Sequence, residues 1–148
     1  MIYLGSDHGG FELKEYVKLF LKKNKFEFED LGNLNYDSED DYPDYAFKVA
    51  EKVSKDEKNR GILFCRSSGG VIIAANKVNG IRAVSAHDVK SAVHAREHND
   101  ANIVALPGDW ITEKLAGKIV ETFLKTKFTN EERHVRRLKK IKNYEENN

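Results

Sequence analysis

The sequence has little of what would cross-link a fold or hold it in a membrane. It contains one cysteine, two prolines and one tryptophan in 148 residues. A single cysteine excludes an intrachain disulfide framework and a CxxC metal site, and a free thiol is typical of a reducing compartment. No apolar run approaches the roughly 18 residues of a transmembrane helix, and the opening MIYLGSDHGG lacks the charged and apolar regions of a signal peptide. We therefore expect a cytoplasmic protein without a membrane partner.

The chain also lacks an excess of charge of either sign. Its 25 basic and 24 acidic side chains leave a net charge of +1, so composition favours neither nucleic acid nor an anionic membrane as a partner. The 40% apolar and 33% charged residues are typical of a globular protein, and the length fits one domain over residues 1–148. A basic segment, 133–142, lacks the interleaved aromatics of a nucleic-acid surface.

What the chain does have is a regular alternation of strand and helix patterns. Apolar residues repeat at helical spacing from Leu13 to Leu21 and again from Leu115 to Leu124. A third helix is expected over 69–78 and a last one near Thr129, which has capping-box spacing to Glu132. The expected strands are Ile2–Leu4, an edge strand ending at Gly32, Gly61–Cys65, Ile81–Ala86 and Asn102–Leu106. This order predicts a doubly wound, Rossmann-like α/β sandwich with a five-stranded parallel sheet, whose ligands bind beyond the carboxyl ends of the strands.

Two of those strand ends carry chemically useful residues. The first strand ends in GSDHGG, where an Asp7–His8 pair either relays a proton, with the carboxylate fixing the imidazole tautomer, or forms an Asx-type turn that caps the next helix. The third ends in Cys65–Gly70, where the field of a helix start lowers the pKa of a thiol. The alternative is a buried, inert cysteine. The loop is neither a Walker A motif nor GxGxxG, so it does not indicate a nucleotide.

The later segments leave further alternatives open. His94 and His98 have the spacing of two metal ligands, but no HExxH glutamate or third ligand accompanies them. His98 and Asn99 end a predicted helix, either facing a ligand or capping the helix. Arg133 and Arg137 share a helix face suited to a phosphate group, unless they belong to a solvated basic surface.

Taken together, the segments SDHGGFELK, DYPDYA, CRSSGGVIIAANKVNGIRA, REHNDANI and RHVRR resemble the sugar-phosphate isomerases of the ribose-5-phosphate isomerase type B and galactose-6-phosphate isomerase family. The resemblance implies a homodimer, in some members a tetramer, whose active site lies between subunits. It implies interconversion of ribose 5-phosphate and ribulose 5-phosphate through a cis-enediol(ate), without metal or organic cofactor.

The resemblance also implies roles for individual residues. Cys65 is the base, and Ser67 stabilises the enediolate oxygens together with the amides of Arg66, Ser68, Gly69 and Gly70. His98 donates a proton in ring opening and, with Asn99, comes from the partner subunit. Asp7 and His8 hold ring oxygens, Tyr42 lines the pocket, and Arg133, His134 and Arg137 bind the phosphate.

Two departures from the family pattern bear on the substrate. Arg66 and Ser68 stand where glycines are usual, and a side chain at positive φ costs roughly 1 kcal/mol, so we expect Gly69 to serve as the permissive residue. Asp109 stands where an arginine is frequent, and Arg66 is our candidate for the missing positive charge. Val71 occupies the position of a carboxylate base found in some members, which leaves Cys65 as the candidate base. The alternatives are an isomerase of a 6-phosphate hexose and a non-catalytic phosphosugar-binding paralogue.

Overall fold

The expected alternation of strands and helices is present along the whole chain. The computed structural model describes residues 1–148. Its strands are β1 (Ile2–Ser6), β2 (Phe28–Asp30), β3 (Arg60–Cys65), β4 (Ala83–Ser85) and β5 (Ile103–Pro107). Its helices are α1 (Phe11–Lys23), α2 (Tyr42–Val53), α3 (Gly69–Ala75), α4 (Val89–Glu97), α5 (Glu113–Lys125) and α6 (Glu132–Glu146), and a 3₁₀ turn (His8–Gly10) joins β1 to α1.

The strands form one sheet in the order β2-β1-β3-β5-β4. Every neighbouring pair is parallel, and β3 lies at the centre with Leu63 opposite Gly5 on one side and Ala105 on the other. Residues 61–65 of β3 are buried, as expected for a strand covered on both faces. The predicted doubly wound, five-stranded parallel sheet is confirmed.

Helices cover both faces of the sheet and make two separate cores. On one face, α1, α4 and α5 contribute Leu13, Val17, Ala92, Ala95, Ile119 and Phe123 to a cluster of 17 buried apolar residues. On the other, α2 and α3 contribute Ala46, Val49, Val71 and Ala74 to a cluster of 13 that also contains Cys65. The apolar stripes of these helices are thus removed from water, which provides the main driving force for the three-layer arrangement.

Each strand has at least one end that differs from the sequence expectation, and the cause is clear at the start of the fourth strand and at the end of the third helix. The fourth strand begins at Ala83 rather than Ile81, because the N–H of Arg82 donates to the side chain of Asn102 instead of a neighbouring strand. The third helix ends at Ala75 rather than near residue 78. The Asn76 side-chain amide there accepts the N–H of Ala83 and donates to the carbonyl of Ala83. Side-chain amides therefore replace regular backbone pairing at these boundaries.

The last helix lies outside both cores, and His134 is its one buried residue. The expected capping box does not form. The Thr129 hydroxyl donates to the Glu97 carbonyl over 3.0 Å, and α6 starts at Glu132 after a Glu131 N-cap that makes no side-chain bond. Thr129 thus joins the start of α6 to the end of α4. No helix combines the length and apolar character needed to cross a bilayer.

Candidate active site

The turn after β1 and the end of β3 meet at the carboxyl edge of the sheet. A Cβ on Gly10 would stand 2.4 Å from the Phe64 carbonyl carbon and 2.7 Å from the Cys65 nitrogen. Only glycine permits so close a backbone approach. The contact brings Asp7 and His8 to the edge that carries Cys65.

The Cys65 side chain is buried at the start of α3. The Ser68 N–H donates a hydrogen bond to Sγ over 3.0 Å. Burial raises the pKa of the Cys65 thiol, and N–H groups of Val71, Ser68 and Ser67 oppose the shift without cancelling it. The expectation that the helix start lowers this pKa is therefore wrong for the net effect, because the loss of water around a thiolate outweighs the amide bonds.

Ser68 adopts the left-handed conformation itself, with φ of +67°. Gly69 has no positive φ and begins α3, so the expectation that Gly69 is the permissive residue is wrong. The Ser68 hydroxyl lies 2.6 Å from the hydroxyl of Ser85 at the end of β4, and Ser68 is 2% exposed. This partly buried bond helps to hold Ser68 in that conformation, with its amide directed at Cys65. Ser85 has no signal in the sequence, because it pairs with a residue 17 positions away.

Tyr42 covers the first turn of α3. A Cβ on Gly70 would lie 2.6 Å from Cζ of Tyr42, so the ring packs directly on the glycine backbone. Ser67 and Gly69 remain exposed beside it. The surface over Cys65 is therefore polar and open on one side and bounded by an aromatic ring on the other.

Asp7 and His8 do not act as a pair through their side chains. Asp7 caps the 3₁₀ turn by accepting the Gly10 N–H over 3.3 Å, as the Asx-turn alternative predicts. Burial raises the pKa of Asp7. His8 instead places Nδ1 2.7 Å from Asp40 Oδ1, and the bond to Asp40 raises the pKa of the imidazole. The sequence shows Asp40 only as part of an acidic cluster, so its pairing with His8 was missed.

Arg66 and Asp109 face each other at the same edge. Their closest side-chain atoms, Nη1 and Oδ1, are 3.5 Å apart, and both side chains are about half exposed. With His8 and Tyr36 they help to line a cavity of about 250 Å³. Arg66 is therefore a cation at the mouth of a small polar cavity beside His8.

The remaining predicted residues gather at the end of α4. His98 caps α4, and its ring stacks on His134 with centroids 4.4 Å apart. Burial and the neighbouring His98 lower the pKa of His134, and its Nε2 is buried without a hydrogen-bond partner. Arg133 pairs with Glu131 over 3.0 Å, and Arg137 follows one turn later on the exposed surface.

These residues lie at the opposite edge of the sheet from Cys65. Asp100, two residues beyond His98, receives the Arg82 side chain just before β4 begins. Since parallel strands all start at one edge, His98 and Asn99 lie at the amino edge. The six residues of β3 separate the two edges, a distance of roughly 17 Å at 3.3 Å per residue. Within one chain the predicted site residues thus form two distant groups.

Only one group of side chains has the spacing of three metal ligands. Asp7, His8 and Asp40 bring one ligand atom each within 4.8 Å of one another, but the short Nδ1–Oδ1 distance between His8 and Asp40 is that of a hydrogen bond. The rings of His94 and His98 are tilted by 57° with centroids 4.2 Å apart, and the pair gains no third ligand. This donor set favours a hydrogen-bonded dyad over a metal centre.

A larger cavity lies elsewhere. It measures about 1190 Å³, lies between α6 and the amino edge, and contains none of the predicted site residues. Acidic and basic side chains alternate along its walls, among them Arg60, Arg82, Asp100 and Glu145. Such a mixed lining indicates no particular ligand, so the small cavity beside His8 is the better candidate.

The profile of the ribose/galactose isomerase family matches residues 2–141. A probable ribose-5-phosphate isomerase B of Mycoplasma genitalium is 44% identical over 145 residues, which cover 97% of this chain and 95% of the relative. A putative sugar phosphate isomerase of Bacillus subtilis is 45% identical over 147 residues, covering 99% and 98%.

Solved structures agree with these relatives over almost the full length. The ribose-5-phosphate isomerase B of Mycoplasma genitalium, solved with bound ribulose-5-phosphate, superposes with a TM-score of 0.95 at 42% identity, covering 99% of this chain and 97% of that chain. The ribose-5-phosphate isomerase of Thermotoga maritima gives a TM-score of 0.91 at 46% identity, covering 96% and 97%.

Proposed function

This chain belongs to the ribose/galactose isomerase family, and on that premise we propose that it interconverts ribose 5-phosphate and ribulose 5-phosphate. The observation that carries the proposal is the full-length structural match to an isomerase that holds ribulose-5-phosphate. We propose a cytoplasmic location as well, since a free thiol such as that of Cys65 stays reduced there.

Cys65 is the proposed base. Its thiolate takes the proton from C2 of the open-chain aldose, and the electron pair of that C–H bond becomes the C1=C2 double bond of the enediolate. The proton of the C2 hydroxyl moves to the C1 oxygen, and the thiol returns its proton to C1, which leaves a carbonyl at C2. The Ser68 N–H, 3.0 Å from Sγ, favours the thiolate at the moment it forms.

The loop from Arg66 to Gly70 is the proposed binding site for the enediolate oxygens. Ser67 and Gly69 are exposed beside Cys65, so the hydroxyl and the loop amides are accessible to a sugar. Donors aimed at developing negative charge stabilise the transition state more than the substrate. Tyr42, packed on Gly70, forms the adjoining wall.

A second copy of the chain completes the proposed site. His98, Asn99, Arg133, His134 and Arg137 lie at the amino edge, too far from Cys65 of their own chain to meet the same pentose phosphate. In a two-fold dimer the amino-edge group of each chain can face the carboxyl-edge group of the other. The phosphate would then lie against Arg133 and Arg137 of the partner, whose guanidiniums suit its geometry.

Arg66 is proposed to assist phosphate binding, with Asp109 holding it in place. The 3.5 Å distance between Arg66 Nη1 and Asp109 Oδ1 supports this arrangement. Asp109 then directs Arg66 toward the cavity, and its own negative charge is paired instead of repelling the phosphate. Arg66→Gly is expected to raise KM for ribose 5-phosphate by about two- to fivefold, the range for an exposed ionic contact, with kcat little changed. Steady-state kinetics at two salt concentrations would check this. Unchanged KM at low salt contradicts it.

The decisive test is turnover of wild type and Cys65→Ala on a panel of pentose and hexose phosphates. We expect wild type to prefer ribose 5-phosphate and Cys65→Ala to lose about 10²–10⁴-fold in kcat. Preference for a 6-phosphate hexose would favour the alternative isomerase, and activity on no sugar would favour the binding paralogue. Full activity of Cys65→Ala would refute the base assignment.

A further inference from the structure

We propose that Asp40 is a positioning residue that holds His8 with its proton on Nδ1 and leaves Nε2 for the substrate, and that Asn33 and Lys14 keep Asp40 in place. The inference rests on the isomerase function above, and it takes His8 as the substrate-binding residue that the family resemblance implies. It assigns a role to a segment, residues 31–41, that contains no helix or strand.

Asp40 contacts His8 twice through one oxygen. Its Oδ1 accepts the backbone N–H of His8 over 2.9 Å and lies 2.7 Å from the ring Nδ1. The Asp40 side chain is 4% exposed and that of His8 24%. A carboxylate held at Nδ1 fixes the proton there, and Nε2 is then the ring nitrogen that a ligand in the adjoining cavity can reach.

The second oxygen of Asp40 is held by Asn33. Nδ2 of Asn33 donates to Oδ2 over 3.1 Å, and the backbone N–H of Asn33 donates to the Ser6 carbonyl over 2.8 Å. Asn33 is thereby fixed to the end of β1, two residues before His8. These two hydrogen bonds of Asn33 join the loop to the end of β1 without the backbone pairing of a β-sheet.

Lys14 supports this loop from inside the protein. It has no exposed surface, and its Nζ donates to the Asn33 carbonyl and to both Asp30 oxygens over 2.7 Å each. A buried ammonium is unfavourable unless it is paired and fully hydrogen-bonded. The hydrogen bonds of Lys14 go to Asp30 in β2 and to Asn33 in the following loop. The buried charge on α1 therefore holds the segment that contains Asp40.

The charges around His8 agree with this role. The hydrogen bond to Asp40 is the largest influence and raises the pKa of His8, with Asp7 adding to it and partial burial and Arg66 opposing it. The ion pair between Lys14 and Asp30 lies farther from His8, and it affects His8 only by holding the loop that carries Asp40. Removal of the Asp40 charge should therefore change the protonation of His8 more than removal of any other single charge.

The matched pair for a test is Asp40→Asn and Asp41→Asn. Both remove one carboxylate from the same loop, but the Asp41 side chain makes no capping bond. We expect the NMR-titrated pKa of His8 in Asp40→Asn to fall toward its ordinary value of about 6.5, and kcat/KM to fall about tenfold with its pH profile displaced by the same shift. Asp40→Glu, which keeps the charge, should recover part of both. Asp41→Asn should leave both unchanged.

The NMR readout separates this inference from the proposed function. If wild type turns over no sugar phosphate, the isomerase proposal fails, while the His8 titration still decides the role of Asp40. If Asp40→Asn shifts neither the His8 pKa nor the pH profile relative to Asp41→Asn, the inference is overturned. Should Asp40→Asn fail to fold, the ¹⁵N shifts of neutral His8 in wild type decide: a proton on Nε2 instead of Nδ1 contradicts the proposal.

Discussion

At the scale of single residues, Cys65 shows two opposing effects on one thiol. Amides at the start of α3 stabilise the thiolate, but burial raises the pKa of Cys65 more than they lower it. A raised pKa means that the reactive thiolate becomes populated only as pH rises through and beyond the ordinary thiol range.

The pH dependence of alkylation measures that thiolate, whereas the absolute rate also reflects the burial of Cys65. We expect iodoacetamide at pH 7 to modify Cys65 more than about tenfold more slowly than in the chain unfolded by guanidinium, with the rate rising toward alkaline pH. If Cys65 is the base, kcat/KM should increase with pH, and the pKa of that increase should equal the pKa found by alkylation, because kcat/KM reports on the free enzyme. The control is a thiol peptide under the same conditions. Folded protein that reacts at pH 7 as quickly as the unfolded chain contradicts the raised pKa.

How much of the site the sequence could predict depends on the range of each contact. Cys65 and His8 could be found because a strand followed by a glycine-rich turn has a local signature. Asp40 and Ser85 could not, since their partners lie 32 and 17 residues away along the chain. The conformation of Ser68 was also missed, because the bond from its hydroxyl to Ser85 reaches outside its own loop.

At the scale of elements, the strands and helices followed from hydrophobic periodicity, whereas their ends followed from side-chain bonds. The apolar stripes of α1 and α5 predicted their buried faces because burial drives helix packing. The start of β4 depends on Asn102, 20 residues beyond Arg82, and the start of α6 depends on Thr129 reaching Glu97. Periodicity contains no information about either bond.

The first turn of α3 provides a matched test of element packing. A methyl group at Gly70 would stand 2.6 Å from the Tyr42 ring, whereas at Gly69 the nearest atom, Ser67 Oγ, is 3.8 Å away. We expect Gly70→Ala to lower the free energy of unfolding by about 1–3 kcal/mol through overpacking. Gly69→Ala should be neutral or stabilising by up to about 1 kcal/mol, since alanine favours the helix. Urea denaturation of both variants would check this; equal stability would show that the Tyr42 ring moves aside freely.

At the scale of the whole molecule, the sheet separates the predicted site into two groups. The carboxyl edge holds Asp7, His8 and Cys65, and the amino edge holds His98 and the start of α6. The family resemblance implied a shared site, but periodicity and spacing could not, because the separation becomes visible only when the strand order is known. Since the resemblance assigns both groups to one site, their separation within one chain is the physical reason for proposing that two chains build it.

Hybrid dimers test that reason. Cys65→Ala and His98→Ala damage opposite edges, so each homodimer has two defective sites. A hybrid of the two has one site with both defects and one with neither, if each site combines the carboxyl edge of one chain with the amino edge of the other. Random mixing after unfolding and refolding should therefore restore about a quarter of wild-type activity, as expected for a two-fold dimer.

A mixture of Cys65→Ala with Cys65→Ser is the control and should stay near the activity of its components. If the first mixture recovers no more than the control while size-exclusion chromatography shows dimers, each chain builds its site from its own residues.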